Sequence, residues 1–195
     1  MNTKPKKYIS NKTRCAWCEK DDLYRNYHDT EWGVPVYDDQ KIFEFLILET
    51  FQAGLSWYTV LAKRENFRNA FDNFDYKKVA TYSEIKIEGL KQDAGIIRNR
   101  LKIKAAVTNA IAFMEVQKEF GTFSNYIWGF VDGKPINNNR KNLKEVPATT
   151  EISDKLSKDL KKRGFKFVGS TVVYAHMQAT GMVNDHVEDC WTRNQ

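Results

Sequence analysis

Three cysteines and three histidines are the only soft metal-binding side chains in this sequence of 195 residues. Cys15 and Cys18 form a C-x-x-C pair, and His28 follows ten residues after the second cysteine. Near the other end, His186 and Cys190 stand four residues apart, a spacing that puts both side chains on one face of a helical turn. Tetrahedral zinc binds four such nitrogen or sulfur donors. The spacing therefore leaves five candidates for four places at a structural zinc site that would tie the two ends of the chain together.

Two other interpretations of these residues remain open. Three reduced cysteines could pack as unrelated small apolar side chains, and their odd number disfavours a disulfide framework. A catalytic zinc is disfavoured, because the sequence lacks both the H-E-x-x-H pattern of metalloproteases and the H-x-E…P-C-x-x-C pattern of zinc deaminases. Four protein donors would also leave no open position for water on the metal.

Aromatic side chains crowd the first 58 residues, around a strongly apolar segment that carries two carboxylates. These aromatic residues are Trp17, Tyr24, Tyr27, Trp32, Trp57 and Tyr58. Core packing is their default role, but Trp and Tyr also stack on nucleobases. Glu49 stands among apolar neighbours, where an unpaired carboxylate is costly, but Glu44 has a similar local setting. Either could be an exposed or ion-paired glutamate, whereas a buried one would have a raised pKa and could accept hydrogen bonds from a cationic or amino-bearing ligand.

Two glycine-containing turns could contact nucleic acid. Gly54 interrupts the segment 52–57 and could present Leu55 on a tight turn. Some DNA-binding proteins present an apolar side chain in this way and insert it between base steps. Gly95 lies in a short turn between two helical patterns. The backbone N–H groups of such a turn and the following helix N-terminus can hold a phosphate. Basic residues with no intervening acid follow the turn and would flank that phosphate: Arg98, Arg100, Lys102 and Lys104.

The elements that must position these residues are predicted to be helices. The segment 38–51 is apolar almost all round, which predicts a helix buried on most sides. Residues 151–163 have amphipathic periodicity and end in basic residues followed by Gly164, the usual signals of a helix stop. Further helices are predicted at 56–72, 76–82, 84–91, 96–118 and from Ser170 or Thr171 to about 180. No convincing series of strands is present, so we predict an all-α fold.

The charge is distributed unevenly along the chain. The net charge is +6, and residues 1–14 carry five basic residues and no acid, which predicts a flexible basic arm at 1–13. Residues 19–49 contain nine acids against three bases, whereas residues 155–166 contain six bases and one acid. Such zones suggest a face for a polyanion, although a solvated helix surface explains them equally well. No apolar run reaches membrane-spanning length and no signal-peptide pattern is present, so we expect an intracellular protein.

Seven segments, in order from about Arg14 to Cys190, resemble the bacterial DNA-3-methyladenine glycosylase I family. In one-letter code they are RCAW at 14–17, YHDTEWGVP at 27–35, LE at 48–49, QAGLSW at 52–57, QDAGIIR at 92–98, LSKDLKKRGFKFVG at 156–169 and VNDHVEDC at 183–190. The resemblance implies a single helix–hairpin–helix glycosylase domain at 14–195, with two helical lobes and the hairpin near 84–118. It selects Cys15, His28, His186 and Cys190 as the ligands of one structural zinc ion. Cys18 departs from the family pattern and would be a free thiol or a competing ligand.

The resemblance also implies a base pocket and a DNA-binding surface. Glu49 corresponds to the acidic residue that contacts the base, and we assign it the catalytic role. The implied base-binding residues are Tyr24, Tyr27 and Trp57, with Trp17 and Trp32 as walls. Gly54 and Leu55 correspond to the turn that enters the gap left by the extruded nucleotide, and we expect Gly95, Arg98 and Arg100 to bind the DNA backbone.

The implied activity is hydrolysis of the N-glycosidic bond of 3-methyladenine in alkylated DNA, which leaves an abasic site without strand cleavage. The expected partners are double-stranded DNA and the free base as product, with no membrane, no catalytic cofactor and a monomeric protein in the bacterial cytoplasm. The catalytic Asp common in the wider superfamily is absent from its usual place. Three alternatives remain: a non-enzymatic zinc-containing DNA-binding module, a related glycosylase for a deaminated or oxidised purine, and a metal-dependent hydrolase.

Overall fold

The computed structural model describes residues 12–194. The basic arm expected at 1–13 therefore lies outside the described residues, except for Lys12 and Thr13. Within the described range the chain forms ten α-helices and one pair of short strands. In chain order they are α1 (Asp22–Thr30), α2 (Asp39–Gln52), α3 (Trp57–Leu61), α4 (Arg64–Ala70), α5 (Tyr76–Val79), α6 (Glu84–Gln92), α7 (Arg100–Phe120), α8 (Phe123–Trp128), β1 (Ile136–Asn137), α9 (Glu151–Lys162), α10 (Ser170–Ala179) and β2 (Val183–Asn184).

Helix α2 is the centre of the fold. Its N-terminus is capped by Asp38, whose side chain accepts a hydrogen bond from the Lys41 N–H, and every residue from 42 to 51 is buried. The helix is covered because α3, α7, α8 and α10 all pack against it. The sequence prediction of a helix buried on most sides is confirmed, and one consequence is that both of its glutamates are removed from water.

The segment 56–82 contains shorter helices than the sequence predicts. The stretch predicted as one helix at 56–72 is divided into α3 and α4, because the N–H of Ala62 bonds back to both Tyr58 O and Val60 O and tightens the chain into a turn. The next helix, α5, is only four residues long and begins after Asp75, whose side chain caps the N–H groups of Lys77 and Lys78. Local hydrogen bonds thus end helices that apolar periodicity alone would continue.

The predicted helix–hairpin–helix corresponds to α6, the turn 93–99 and α7. The second helix begins at Arg100 rather than at residue 96. Ile96 is instead buried in the hydrophobic core, and Asn99 caps α7 by accepting the Lys102 N–H at 3.2 Å. The hairpin is therefore longer than predicted, because its apolar residue anchors the turn before the helix starts.

The C-terminal region returns to the start of the described chain. Helix α9 begins with a capping box between Thr150 and Ser153 and ends before Gly164 at φ +94°, as the sequence predicted. Helix α10 follows, but its N-cap is Gly169 rather than Ser170 or Thr171.

Beyond α10, β2 pairs in parallel with β1, and the Trp191 N–H donates to Thr13 O at 3.0 Å. Apart from this two-residue pairing and one isolated bridge, the described fold is helical, which confirms the all-α prediction. None of the helices in the described range is long and apolar enough to cross a membrane.

Candidate functional site

Four buried metal-binding side chains meet where the two ends of the described chain come together. One donor atom from each of Cys15, His28, His186 and Cys190 lies within 4.8 Å of the other three. The Cys190 Sγ lies 3.4 Å from His28 Nε2 and 3.5 Å from His186 Nδ1, and Cys15 Sγ lies 3.7 Å from the same Nδ1. Zinc bonds of about 2.0–2.3 Å place tetrahedral ligand atoms roughly 3.3–3.8 Å apart. The group therefore fits a tetrahedral metal ion.

The outer nitrogen of each imidazole has its own acceptor. His28 Nδ1 lies 2.9 Å from a carboxylate oxygen of Asp29, and His186 Nε2 lies 3.1 Å from Trp32 O. A proton on each of these nitrogens leaves His28 Nε2 and His186 Nδ1 as the unprotonated atoms that face the cysteines. Asp29 in turn accepts hydrogen bonds from Arg14 at 2.8–3.0 Å. Burial raises the pKa of Asp29, but the hydrogen bonds from Arg14 and His28 outweigh it and the pKa is lowered.

The chain geometry around these ligands differs from the sequence prediction in one respect. His186 and Cys190 do converge, but on a non-helical turn after β2 rather than on a helical turn. Cys18 is buried beside the group, outside the set of four, and its Sγ donates to Cys15 O at 3.1 Å. A metal ion held by all four donors would have no open position for water, so the arrangement suits a structural rather than a catalytic metal.

A cavity of about 350 Å³ lies next to this metal-binding group. All six residues that sequence reasoning assigned to the base line it: Trp17, Tyr24, Tyr27, Trp32, Glu49 and Trp57. Gln52, from the motif at 52–57, also lines it, although it was not assigned to the base. Four further lining residues, on the loop before α9 or on α10, had no recognisable sequence signal: Leu143, Val146, Ala175 and Gln178. Tyr58 is outside the lining, and its hydroxyl donates to Asp21. The volume is within the usual range for a small-molecule site.

The two glutamates of α2 have opposite environments. Glu44 is paired, since its carboxylate accepts hydrogen bonds from Arg68 at 2.7 and 3.0 Å and from Lys41 at 3.2 Å. Glu49 is 3% exposed, and its buried Oε2 has no hydrogen-bond partner among the described residues. Burial raises the pKa of Glu49 to about 8. The structure thus gives a physical reason to prefer Glu49, which the family resemblance selected but which its local sequence setting did not distinguish from Glu44.

The aromatic walls contain a second unpartnered polar atom. Trp57 Nε1 is buried and makes no hydrogen bond within the described range, and its ring lies 5.3 Å from that of Tyr27. Across the cavity lining, Trp17 packs edge-on against Tyr24 at 4.9 Å. Burial raises the pKa of Tyr24 to about 12 and that of Tyr27 well above its usual value, so both phenols are neutral near pH 7. The cavity therefore presents aromatic faces together with one acceptor and one donor that have no partner in the described residues, beside the amides of Gln52 and Gln178.

The metal-binding group and the cavity share a wall. Trp32 lies 4.6 Å from the His186 ring and stacks on the His28 ring at 6.2 Å. Trp17 contacts His28 at 5.3 Å and Trp32 at 5.1 Å. Because both tryptophans line the cavity as well, an ion that fixes the imidazoles also fixes one side of the pocket.

The turn after α2 presents an exposed apolar side chain. Gly54 has φ +82°, a conformation that disfavours any side chain, and the Leu55 N–H donates to Gln52 O at 2.6 Å. Leu55 is 43% exposed. The turn follows Glu49 by about one helical turn, so Leu55 lies at the end of the helix that carries the cavity carboxyl.

The hairpin residues have individual roles in the structure. Gly95 is required for space, because a Cβ there would lie 2.9 Å from Asp93 Oδ1 and 3.2 Å from the Asn66 side chain. The Gly95 N–H already donates to Asp93 Oδ1 at 2.7 Å. Arg98 is exposed, while Arg100 pairs with Glu88 at 2.6 Å and with Glu84 at 3.1 Å.

The structure places Lys102, which was predicted to flank the phosphate, in the interior of the protein. Lys102 does not face solvent beside the hairpin, as the sequence suggested, but is buried, with its ammonium group directed at the C-terminus of α2. Lys104 is on the surface and pairs with Glu84 at 2.5 Å. Helix periodicity explains the difference, because residues two apart on α7 point in directions about 200° apart.

Comparisons with known proteins show which family and which fold this chain shares. Residues 17–194 match the family described as methyladenine glycosylase. DNA-3-methyladenine glycosylase 1 of Escherichia coli (strain K12) is 52% identical over 177 residues, which cover 91% of this chain and 95% of that protein. A crystal structure of a 3-methyladenine DNA glycosylase I superposes with a TM-score of 0.90 at 49% identity, covering 92% of this chain and 98% of the other. A variant of such an enzyme, solved in complex with 3-methyladenine, has a TM-score of 0.90 at 36% identity, with 93% and 98% covered.

Proposed function

Since this chain belongs to the methyladenine glycosylase family, we propose that it binds 3-methyladenine, extruded from alkylated duplex DNA, in the aromatic cavity around Glu49. Its activity is that of a DNA-3-methyladenine glycosylase I in base-excision repair. The family resemblance inferred from the sequence motifs is confirmed by the match over nearly the whole chain. The assignment of individual residues to steps of the reaction is our proposal.

The observation that carries the proposal is the unpartnered carboxyl of Glu49 within an aromatic cavity. A buried polar atom without a partner costs about 1–3 kcal/mol, and such atoms in native proteins call for an explanation. An adenine derivative supplies the missing partner, because its exocyclic amino group is a donor that the carboxyl can accept. Trp57 Nε1 would complement this contact by donating to a ring nitrogen of the base.

The chemistry follows from the charge of the lesion. Methylation at N3 makes the base in DNA a cation, and when the bond from C1′ to the base breaks, the bond electrons leave with the base and neutralise it. Water adds to C1′ and releases one proton, which gives the free base and an abasic site. The electron-rich faces of Tyr24, Tyr27 and Trp57 favour a cationic ring over neutral adenine. The cationic base would lower the raised pKa of Glu49, and the ionised carboxylate would then stabilise that cation and could orient the attacking water.

DNA contacts are proposed at two sites that flank the cavity. Leu55, presented by the Gly54 turn, would fill the gap left by the extruded nucleotide. At the hairpin, Arg98 and the first turn of α7 would hold a phosphate, with Gly95 allowing the close turn that leads to them. Arg100 would contribute only by releasing its ion pairs with Glu84 and Glu88.

We further propose that the four-residue group of Cys15, His28, His186 and Cys190 holds one structural zinc ion. The donor set and the separations fit zinc, and the hydrogen bonds to Asp29 and Trp32 orient the imidazoles as a zinc site requires. When bound, the ion would link the N-terminal and C-terminal segments of the domain 14–195. We expect the enzyme to act as a monomer on chromosomal DNA in the bacterial cytoplasm.

The direct test is mass spectrometry of bases released from alkylated duplex DNA by the purified protein. We expect free 3-methyladenine and intact phosphodiester strands, with inhibition by added 3-methyladenine. DNA binding without base release would instead support a non-enzymatic module. Release of a deaminated or oxidised purine, without competition from 3-methyladenine, would assign the cavity to another lesion.

A further inference from the structure

A buried ammonium group joins the hairpin helix to the helix that carries Glu49. The Nζ atom of Lys102, on the first turn of α7, donates to Phe51 O at 2.9 Å and to Ala53 O at 2.6 Å. Lys102 is 6% exposed, which is unusual for a lysine, and burial lowers its pKa. Its two acceptors are carbonyl groups at the C-terminal end of α2, where the helix dipole favours a cation. The lysine therefore caps a helix to which it does not belong.

The two ends of this contact are the two proposed DNA-contacting segments. On the α7 side, Lys102 follows the hairpin turn 93–99 directly, and its own N–H is held by the Asn99 side chain at 3.2 Å. On the α2 side, Ala53 immediately precedes Gly54 and Leu55, and Phe51 lies two residues after Glu49. The ammonium group thus connects the element that would hold a phosphate to the turn that would enter the duplex.

Apart from Lys102, the turn is held at its far end by Ser56, which caps α3 by accepting the Thr59 N–H at 3.3 Å, and by one hydrogen bond of its own. Its internal hydrogen bond runs from the Leu55 N–H to Gln52 O, and a Cβ at Gly54 would meet nothing within 4 Å. Gly54, Leu55 and Ser56 are all exposed. A contact that fixes the carbonyl of Ala53 consequently has a large influence on the direction in which Leu55 projects.

We propose that Lys102 is a positioning residue, which sets the turn 53–55 relative to the DNA-bound hairpin so that Leu55 enters the duplex as the lesion reaches Glu49. This inference rests on the proposed function and extends it, because it assigns a role to a residue that contacts neither base nor DNA. It predicts that Lys102 matters for excision from duplex DNA and not for the affinity of the free base, whose contacts are with the cavity.

The test compares Lys102→Met with Lys118→Met. Methionine keeps the length and the packing of the lysine stem but removes the charge. Lys118 is on the same helix at its far end, exposed and paired with Glu115, so its substitution matches the change in net charge. For Lys102→Met we expect a loss of tenfold or more in single-turnover excision from duplex DNA, with affinity for free 3-methyladenine within twofold of the wild type. Lys118→Met should match the wild type in both.

Coupling to Leu55 separates positioning from a general structural effect. In a Leu55→Ala background the residue to be positioned is already truncated, so Lys102→Met should cost threefold or less in excision. Equal losses in both backgrounds, or a parallel loss of free-base affinity, would overturn the proposal. If the wild-type protein released no 3-methyladenine at all, the proposed function itself would be wrong. If Lys102→Met and the wild type excised the base at equal rates, only the positioning role of Lys102 would be wrong.

A second variant covers the case in which Lys102→Met does not fold. Lys102→Arg keeps the cation but replaces a compact ammonium group with a longer planar one, which displaces the two carbonyl groups. A folded Lys102→Arg protein with excision reduced threefold or more and unchanged free-base affinity supports the positioning role. Wild-type excision by this variant contradicts it.

Discussion

Glu49 Oε2 and Trp57 Nε1 are buried in residues that line the same cavity, and neither atom has a hydrogen-bond partner in the described part of the chain. One is an acceptor and the other a donor, and they come from different helices, α2 and α3. The rest of the lining consists of aromatic and aliphatic side chains and the amides of Gln52 and Gln178. The pair therefore sets two of the polar requirements of the ligand, which must donate to a carboxyl group and accept from an indole.

Removal of the acceptor should weaken ligand binding. Glu49→Ala leaves the amino group of bound 3-methyladenine without its partner, at a cost of about 1–3 kcal/mol, or roughly 5-fold to 150-fold in affinity. Excision from duplex DNA should fall by at least as much, because in the proposed mechanism the same carboxyl also orients the attacking water. Calorimetric titration with free 3-methyladenine and single-turnover assays measure the two effects. Glu44→Ala is the control, since it removes a paired carboxyl of the same helix outside the cavity, and wild-type values for Glu49→Ala would exclude the residue from the site.

The buried carboxyl should also make stability depend on pH. Because burial raises the pKa of Glu49 in the folded state to about 8 from the ordinary 4.5, the folded protein binds this proton more tightly than the unfolded chain does. Its stabilising contribution is complete below about pH 4.5 and is lost as the pH rises through 8. Glu49→Gln lacks this titration, so urea unfolding at pH 5, 7 and 8.5 should show the wild type losing stability relative to the variant. Parallel pH dependences of the two proteins would mean that the carboxyl ionises freely in the fold.

Metal removal should lower stability before it affects chemistry. A structural ion that joins residues 15 and 190 contributes free energy of folding directly, so its removal should lower the melting temperature by about 10 °C or more. Cys190→Ser should have the same effect and lose bound zinc, whereas Cys18→Ser, outside the group of four, should keep one zinc ion per chain. Zinc analysis combined with thermal unfolding tests this. An unchanged melting temperature after verified loss of the metal is the contrary result.

The arginines of the hairpin should differ in their contribution to DNA binding. Arg98 is exposed and has no ion pair within the described residues, so it can neutralise a phosphate without losing another contact. Arg98→Gln should lower non-specific DNA affinity and reduce the salt dependence of binding by about one counterion. Arg100→Gln should have a smaller effect, because Arg100 must first leave Glu84 and Glu88. Binding isotherms at several salt concentrations measure both slopes, and equal slopes for the two variants and the wild type would place the phosphate elsewhere.

Much of the fold follows from local sequence patterns. Apolar residues lie almost all round the helix at 42–51, which predicts its burial on most sides. Helix α9 is bounded by its own capping residues and by Gly164. The candidate metal ligands can also be recognised from the sequence, since cysteine and histidine differ chemically from their neighbours. The sequence did not predict where α3, α4, α5 and α7 begin or end, because these positions depend on single hydrogen bonds and on the burial of Ile96.

Residue types and spacing alone determined the helical class, the candidate metal ligands and the family, because these depend on periodicity, donor chemistry and ordered motifs that can be recognised without the folded structure. The sequence selected Glu49 over Glu44 only through the family resemblance. The physical difference between the two carboxyls and the inward direction of Lys102 depended on the assembled protein. Arg68 reaches Glu44 from α4, and no cation within residues 12–194 reaches Glu49, although both carboxyls share the same helix and similar neighbours. Whether a charge is paired is decided by groups that distant parts of the chain bring to it, and that information exists only once the helices have packed.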